Sequence, residues 1–63
     1  MKIKVNKIYL QRDGEQVEIV GMRYRSEEGP FPFLGDNGHS YSEFGKYDLL
    51  KDSPKDLISE VKQ

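Results

Sequence analysis

The sequence contains no cysteine, so neither a disulfide nor a thiolate metal site can reinforce whatever core it builds. That absence fits a reducing, cytoplasmic setting. Long apolar runs are missing too. The opening MKIKVNKIYL is interrupted by Lys2, Lys4 and Lys7, whereas a secretory signal needs about 7–15 unbroken apolar residues and a membrane helix about 20. No membrane role is expected. The glycines match neither GxGxxG nor GxxxxGK[ST], and the acidic residues lack the spacing and central glycine of a calcium loop. No cofactor or metal is therefore expected, and no catalytic residue either. His39 is the only histidine. Asp36 before it and Ser40 after it suggest a nucleophile–base–acid trio, but neighbours on a strand point to opposite faces. His39 reads as a solvent-exposed residue following a turn.

The chain has 63 residues, 33% of them charged, with a formal net charge of −1. Such a length permits one domain, residues 1–63, that buries only about 60% of its unfolded surface. Near-neutral charge argues against strong non-specific nucleic-acid binding. The charge is nevertheless uneven. Residues 1–25 hold six basic against three acidic side chains, and residues 26–63 hold four against eight. Interleaved strands would erase this split.

Turn signals punctuate the chain. Asp13-Gly14 lies between KIYLQR and EQVEIV, a favoured pair for a two-residue type I′ hairpin. That turn would pair Leu10 with Val17, Tyr9 with Glu18 and Ile8 with Ile19. Ile8 and Leu10 would then face the core and Tyr9 the outside. Asn6 suggests a turn or bulge before this strand, and Gly21 a bend or bulge in the next, which runs on through Met22 and Tyr24. Residues 26–30 read as a polar loop. Phe31-Pro32-Phe33-Leu34 suits an edge strand, because Pro32 lacks an N–H. Asn37-Gly38 marks a second turn, with Tyr41 roughly opposite Leu34 in a strand over residues 39–44. Gly45 is a further turn candidate, and residues 47–50 a short strand. In Ser53-Pro54-Lys55-Asp56, serine stands at an N-cap, proline at the first helical position and an acid three residues on. A single helical turn followed by a short closing strand, or a two-turn terminal helix, both fit; the first is preferred. The predicted fold is mainly β, a small antiparallel five-stranded SH3-like barrel with a short C-terminal helical turn or helix.

Tyr9, Arg12-Asp13-Gly14, Val17 and Ile19, then Phe31-Pro32 and Gly35, Gly45 and Tyr47, and Ser53-Pro54 with Asp56-Leu57-Ile58 together resemble a group of small uncharacterised β-rich proteins encoded by bacteriophages and prophages. The resemblance spans nearly the whole chain, although each motif is a generic turn or strand signature. It implies a phage or mobile-element origin and an accessory role, and it carries no activity with it. The chain departs from that pattern in lacking an acid-rich insert between the two hairpins.

The aromatic set offers the most suggestive surface. Tyr9 on the outer face, with Arg23, Tyr24 and Arg25 on the next strand, would interleave aromatics with arginines. Such a surface can take a protein segment or stack on single-stranded nucleic acid; aromatics that merely fill a core poor in Leu, Ile and Val are the plainer account. Asp48, Asp52 and Asp56 read as solvated loop charge. The expectation is a non-catalytic module that binds an unknown protein partner or self-associates, as a homodimer through the edge segment 31–34. A nucleic-acid-binding SH3- or OB-like module, using the same four residues plus Lys2, Lys4 and Lys7, is the alternative.

Overall fold

The computed structural model describes residues 1–62. Five antiparallel strands are joined in the order β4-β3-β2-β1-β5, with β1 at Ile8–Gln11, β2 at Gln16–Met22, β3 at Phe33–Gly35, β4 at Ser40–Tyr41 and β5 at Leu57–Glu60. The first four form a meander and the fifth returns beside the first, so the sheet curls into a half-barrel. Two backbone hydrogen bonds draw its margins together: Leu57 N donates to Gly45 O at 2.8 Å, and Ile3 N to Glu43 O at 2.8 Å. A mainly β, small barrel-like fold is thus what the chain adopts. Among the described residues, no helix is long and apolar enough to cross a membrane.

One turn geometry, used three times, determines which residues face inward. In each case two residues exchange a bond across a three-residue loop whose last member is glycine. Gln11 N donates to Glu15 O and Gly14 N to Gln11 O; Gly35 N donates to His39 O and Gly38 N to Gly35 O; Ser42 N donates to Lys46 O and Gly45 N to Ser42 O. Gly14, Gly38 and Gly45 have φ of +96°, +84° and +84°, the left-handed region a glycine enters without a Cβ penalty. Among the described residues, Asn6 is the only non-glycine with positive φ, so Asp13 does not take the conformation a type I′ turn requires. These are three-residue loops closed by a glycine bulge.

That extra residue overturns the expected register. The pairs are Ile8 with Glu18, Tyr9 with Val17 and Leu10 with Gln16. A slip of one residue sends each side chain to the opposite face. Tyr9, Gln11, Val17 and Ile19 therefore point into the core, with Ile3, Phe33, Tyr41 and Leu57, while Ile8 and Leu10 lie half-buried on the outside. The second hairpin slips likewise, placing Phe33 rather than Leu34 opposite Tyr41. At Gly35 the packing is close: a Cβ would lie 2.7 Å from Val17 Cγ1.

Other expectations divide. Asn6 has a left-handed backbone at φ +69°, and the β2–β3 register shifts between Ile19 and Gly21, so the anticipated irregularities are present. Tyr24 lies beyond the end of β2, and a single 3-10 turn, Ser26–Glu28, stands in the polar loop. The segment 31–34 is no edge: β3 pairs with β2 and β4, leaving β4 and β5 at the margins. Pro32 precedes the strand, and its carbonyl accepts from Arg23 N at 2.7 Å. Residues 47–50 make bends rather than a strand, held in part by Asp48 Oδ1, which accepts from Leu50 N at 2.9 Å. At the C-terminal end a turn, Asp56 N donating to Ser53 O, leads directly into β5, and no helix forms there.

Candidate functional site

Of the four residues proposed as a binding face, Arg23 and Tyr24 lie together and Tyr9 does not join them. Tyr9 has no exposed surface, and its hydroxyl accepts from Lys4 N at 2.8 Å. It is core, which corrects the outward placement. The half-buried Tyr24 ring lies against Gly29, and its hydroxyl accepts from Phe31 N at 3.0 Å. Arg23 Cζ lies 5.9 Å from the Tyr24 ring centroid, and its guanidinium donates to Ser40 Oγ at 2.9 Å. Arg25 is exposed where the 3-10 turn begins. Lys2, Lys4 and Lys7 are exposed.

Asp36, His39 and Ser40 direct their side chains to different partners. Asp36 Oδ1 accepts from Glu18 N at 3.3 Å, the His39 ring meets the edge of Tyr47 at 5.4 Å between centroids, and Ser40 Oγ takes the Arg23 bond. Among the described residues, no group of three or more His, Asp or Glu side chains is placed to hold a metal ion.

Two polar clusters, each centred on a buried side chain, fasten the fold. In the first, Gln11 satisfies its neighbours when its amide nitrogen donates to Asp13 Oδ1 at 2.9 Å and its oxygen accepts from the Tyr41 hydroxyl at 2.9 Å and from Asn37 Nδ2 at 3.1 Å. Asn37 Nδ2 also donates to the Tyr41 hydroxyl at 3.0 Å. This ties the first two turns together and explains how a glutamine occupies a core position.

The second cluster centres on Asp56, which is only 1% exposed rather than a solvated loop charge. Its carboxylate accepts from Tyr47 N at 2.9 Å, Ser53 N at 3.0 Å and Lys46 Nζ at 2.9 Å, with Arg12 Nη2 3.5 Å away. Burial alone would push its pKa up; the Lys46 ammonium and the Ser53 and Tyr47 amides more than offset that and hold it at about 2. Asp56 thus supplies one arm of a capping box by accepting from Ser53 N, whereas Ser53 Oγ accepts from Lys55 N rather than from Asp56 N, and a turn rather than a helix follows. Lys46 also donates to Asp52 at 2.7 Å, a bond that raises the lysine pKa and lowers the aspartate's.

Two grooves are present among the described residues: a polar one of about 320 Å³ lined by Asn6, Lys7, Glu60, Val61 and Lys62, and a mainly apolar one of about 250 Å³ between residues 29–32 and the third turn, lined by Gly29, Pro30, Pro32, Phe44 and Leu49, with Glu43 and Lys46 among its polar residues. Phe44 is 52% and Leu49 54% exposed. Phe44 occupies the middle of its three-residue loop. In the other two turns that place holds Asp13 and Asn37, each accepting from the amide two residues on, Glu15 N and His39 N, at 3.0 Å. Phe44 has no such acceptor. Ser42 Oγ supplies it instead, taking Lys46 N at 3.0 Å and Phe44 N at 3.2 Å. Alternation along residues 39–44 puts Phe44 at the end of a strand, where nothing distinguishes it from core aromatics. Bulky apolar residues crowded around a turn glycine were the available signal.

Comparison with protein-family models, with curated proteins and with solved structures returns no match.

Proposed function

We propose that the chain is a non-catalytic binding module whose groove receives a segment of a partner protein. The observation that carries this reading is Phe44. A turn that stabilises itself with an Asx side chain twice in the same molecule gives up that residue for a half-exposed phenylalanine, and a local rule relinquished in this way marks a functional position. The groove's volume bears on what it accepts. Small-molecule and cofactor pockets run to about 300–1,000 Å³, whereas about 250 Å³ suits one or two bulky side chains of a longer ligand, as in the anchored centre of a protein interface. The strand order β4-β3-β2-β1-β5 supports an SH3-like reading of the barrel. The resemblance to phage and prophage proteins supports an accessory role for the module.

The test is selection of a random peptide library on the immobilised protein, repeated on Phe44→Asp. Enriched peptides should lose binding to the variant while its urea midpoint stays near that of the parent, since Phe44 is 52% exposed and aspartate already occupies the same place in the first turn. Peptides that bind both proteins alike would remove the groove from the reading.

A further inference from the structure

Resting on that reading, the distribution of charge around the groove specifies its ligand. Glu43 lines it. Glu27 and Glu28 are exposed on the 3-10 turn immediately before Gly29, and Asp48 precedes Leu49. Lys46, the cation in the lining, has its ammonium engaged by Asp52 at 2.7 Å and Asp56 at 2.9 Å, so its charge is already balanced from within. Among the described residues the ion pairs are Arg12–Asp56, Lys46–Asp52 and Lys46–Asp56, and none involves Glu27, Glu28 or Glu43. The groove therefore has an apolar floor of Pro30, Pro32, Phe44 and Leu49 with the Glu43 carboxylate in its lining, and exposed Glu27 and Glu28 adjoin it in the chain through Gly29; none of these three carboxylates has an ionic partner among the described residues.

We propose that this groove binds an extended protein segment in which one bulky apolar side chain is flanked by lysine or arginine. The apolar residue fills the space between Pro32 and Phe44 and supplies most of the affinity. The flanking cations meet Glu43 on one side and Glu27 and Glu28 on the other, and contribute chiefly selectivity and association rate. A nucleic-acid strand would bring its phosphates against the same carboxylates and is disfavoured.

Fluorescence anisotropy on the full chain decides the matter with three labelled synthetic peptides that share a central Leu-Phe and differ only in flanks of lysine, serine or glutamate. The lysine peptide should bind about tenfold more tightly than the serine peptide, the glutamate peptide most weakly, and the spread should shrink as salt rises. The triple variant Glu27→Gln, Glu28→Gln, Glu43→Gln should bring the three peptides together while retaining the serine peptide's affinity; Phe44→Asp should abolish binding of all three. Equal binding of the three peptides, lost on Phe44→Asp, would overturn the charge preference and leave the groove's role standing. Binding of none, while peptides from the random library still require Phe44, would overturn the ligand class alone. A dimer in sedimentation that Phe44→Asp dissolves would assign the groove to a second copy and overturn the proposal.

Discussion

Tyr9 shows how a single residue can carry the register of a hairpin. Ile8, Tyr9 and Leu10 are consecutive and apolar, so alternation alone permits either phase, and Gln11 argues against the one the protein uses. What reverses that choice is not visible locally: Gln11 can be buried because Asp13, Asn37 and Tyr41 satisfy its amide, and Asn37 and Tyr41 come from the second hairpin. The two phases make opposite predictions for mutants. Tyr9→Ala removes a fully buried ring and should cost about 3–5 kcal/mol, the range for large aromatic truncations. Leu10→Asp, on the half-buried outer face, should cost about 1–2 kcal/mol and leave the domain folded. Urea midpoints of the two proteins measure the difference. Asp56 was hidden for a similar reason, since its acid was legible as part of a cap but its partners Arg12 and Lys46 lie far along the chain.

At the level of elements, glycine and Asx residues disclosed where the chain turns but not how many residues each turn holds. Asp-Gly and Asn-Gly serve two-residue and three-residue loops alike. The missing count is one residue, and one residue inverts a strand. The Gly21 irregularity and the terminal turn were legible because each rests on local backbone chemistry. The short strand expected over residues 47–50 was not real, since the bends there are set by contacts to Asp48 and Asp56. The three turns, equal in backbone, should differ on substitution. Gly14→Ala and Gly38→Ala meet nothing within 4 Å and should each cost about 1–2 kcal/mol, the penalty of a left-handed backbone. Gly45→Ala adds a Cβ 3.0 Å from Leu57 Cβ and 3.1 Å from Leu57 O, so it should be the most destabilising of the three in thermal melts. Equal losses would mean that the third turn does not press on β5 as described.

For the whole molecule, Asp56 joins the tip of the first hairpin, the residues after the third turn and the approach to β5, which makes stability a function of pH. Its carboxyl titrates at about 2 when folded against a reference of 3.8. A group with a lowered folded pKa adds stability above its unfolded value, and that stability is lost as pH falls toward the folded one. About 2 kcal/mol should therefore disappear between roughly pH 4 and pH 2, and Asp56→Asn should remove that part of the slope; urea titrations across this range read it directly. The network joining the first two turns has a consequence of another kind, in chemical lifetime. Asn-Gly is the pair in which the next backbone nitrogen, unhindered by a Cβ, closes most readily on the side-chain carbonyl carbon, expelling ammonia and forming a succinimide that water opens to aspartate or isoaspartate. In the fold, Gly38 N–H is bonded to Gly35 O, Asn37 Nδ2 to the Tyr41 hydroxyl and Asn37 Oδ1 to His39 N, so both reacting groups are held by other partners. Ageing at Asn37 should then follow the unfolded fraction, accelerating in urea and in Tyr41→Phe when followed by peptide mass spectrometry, so that this one side chain records how long each molecule has spent open.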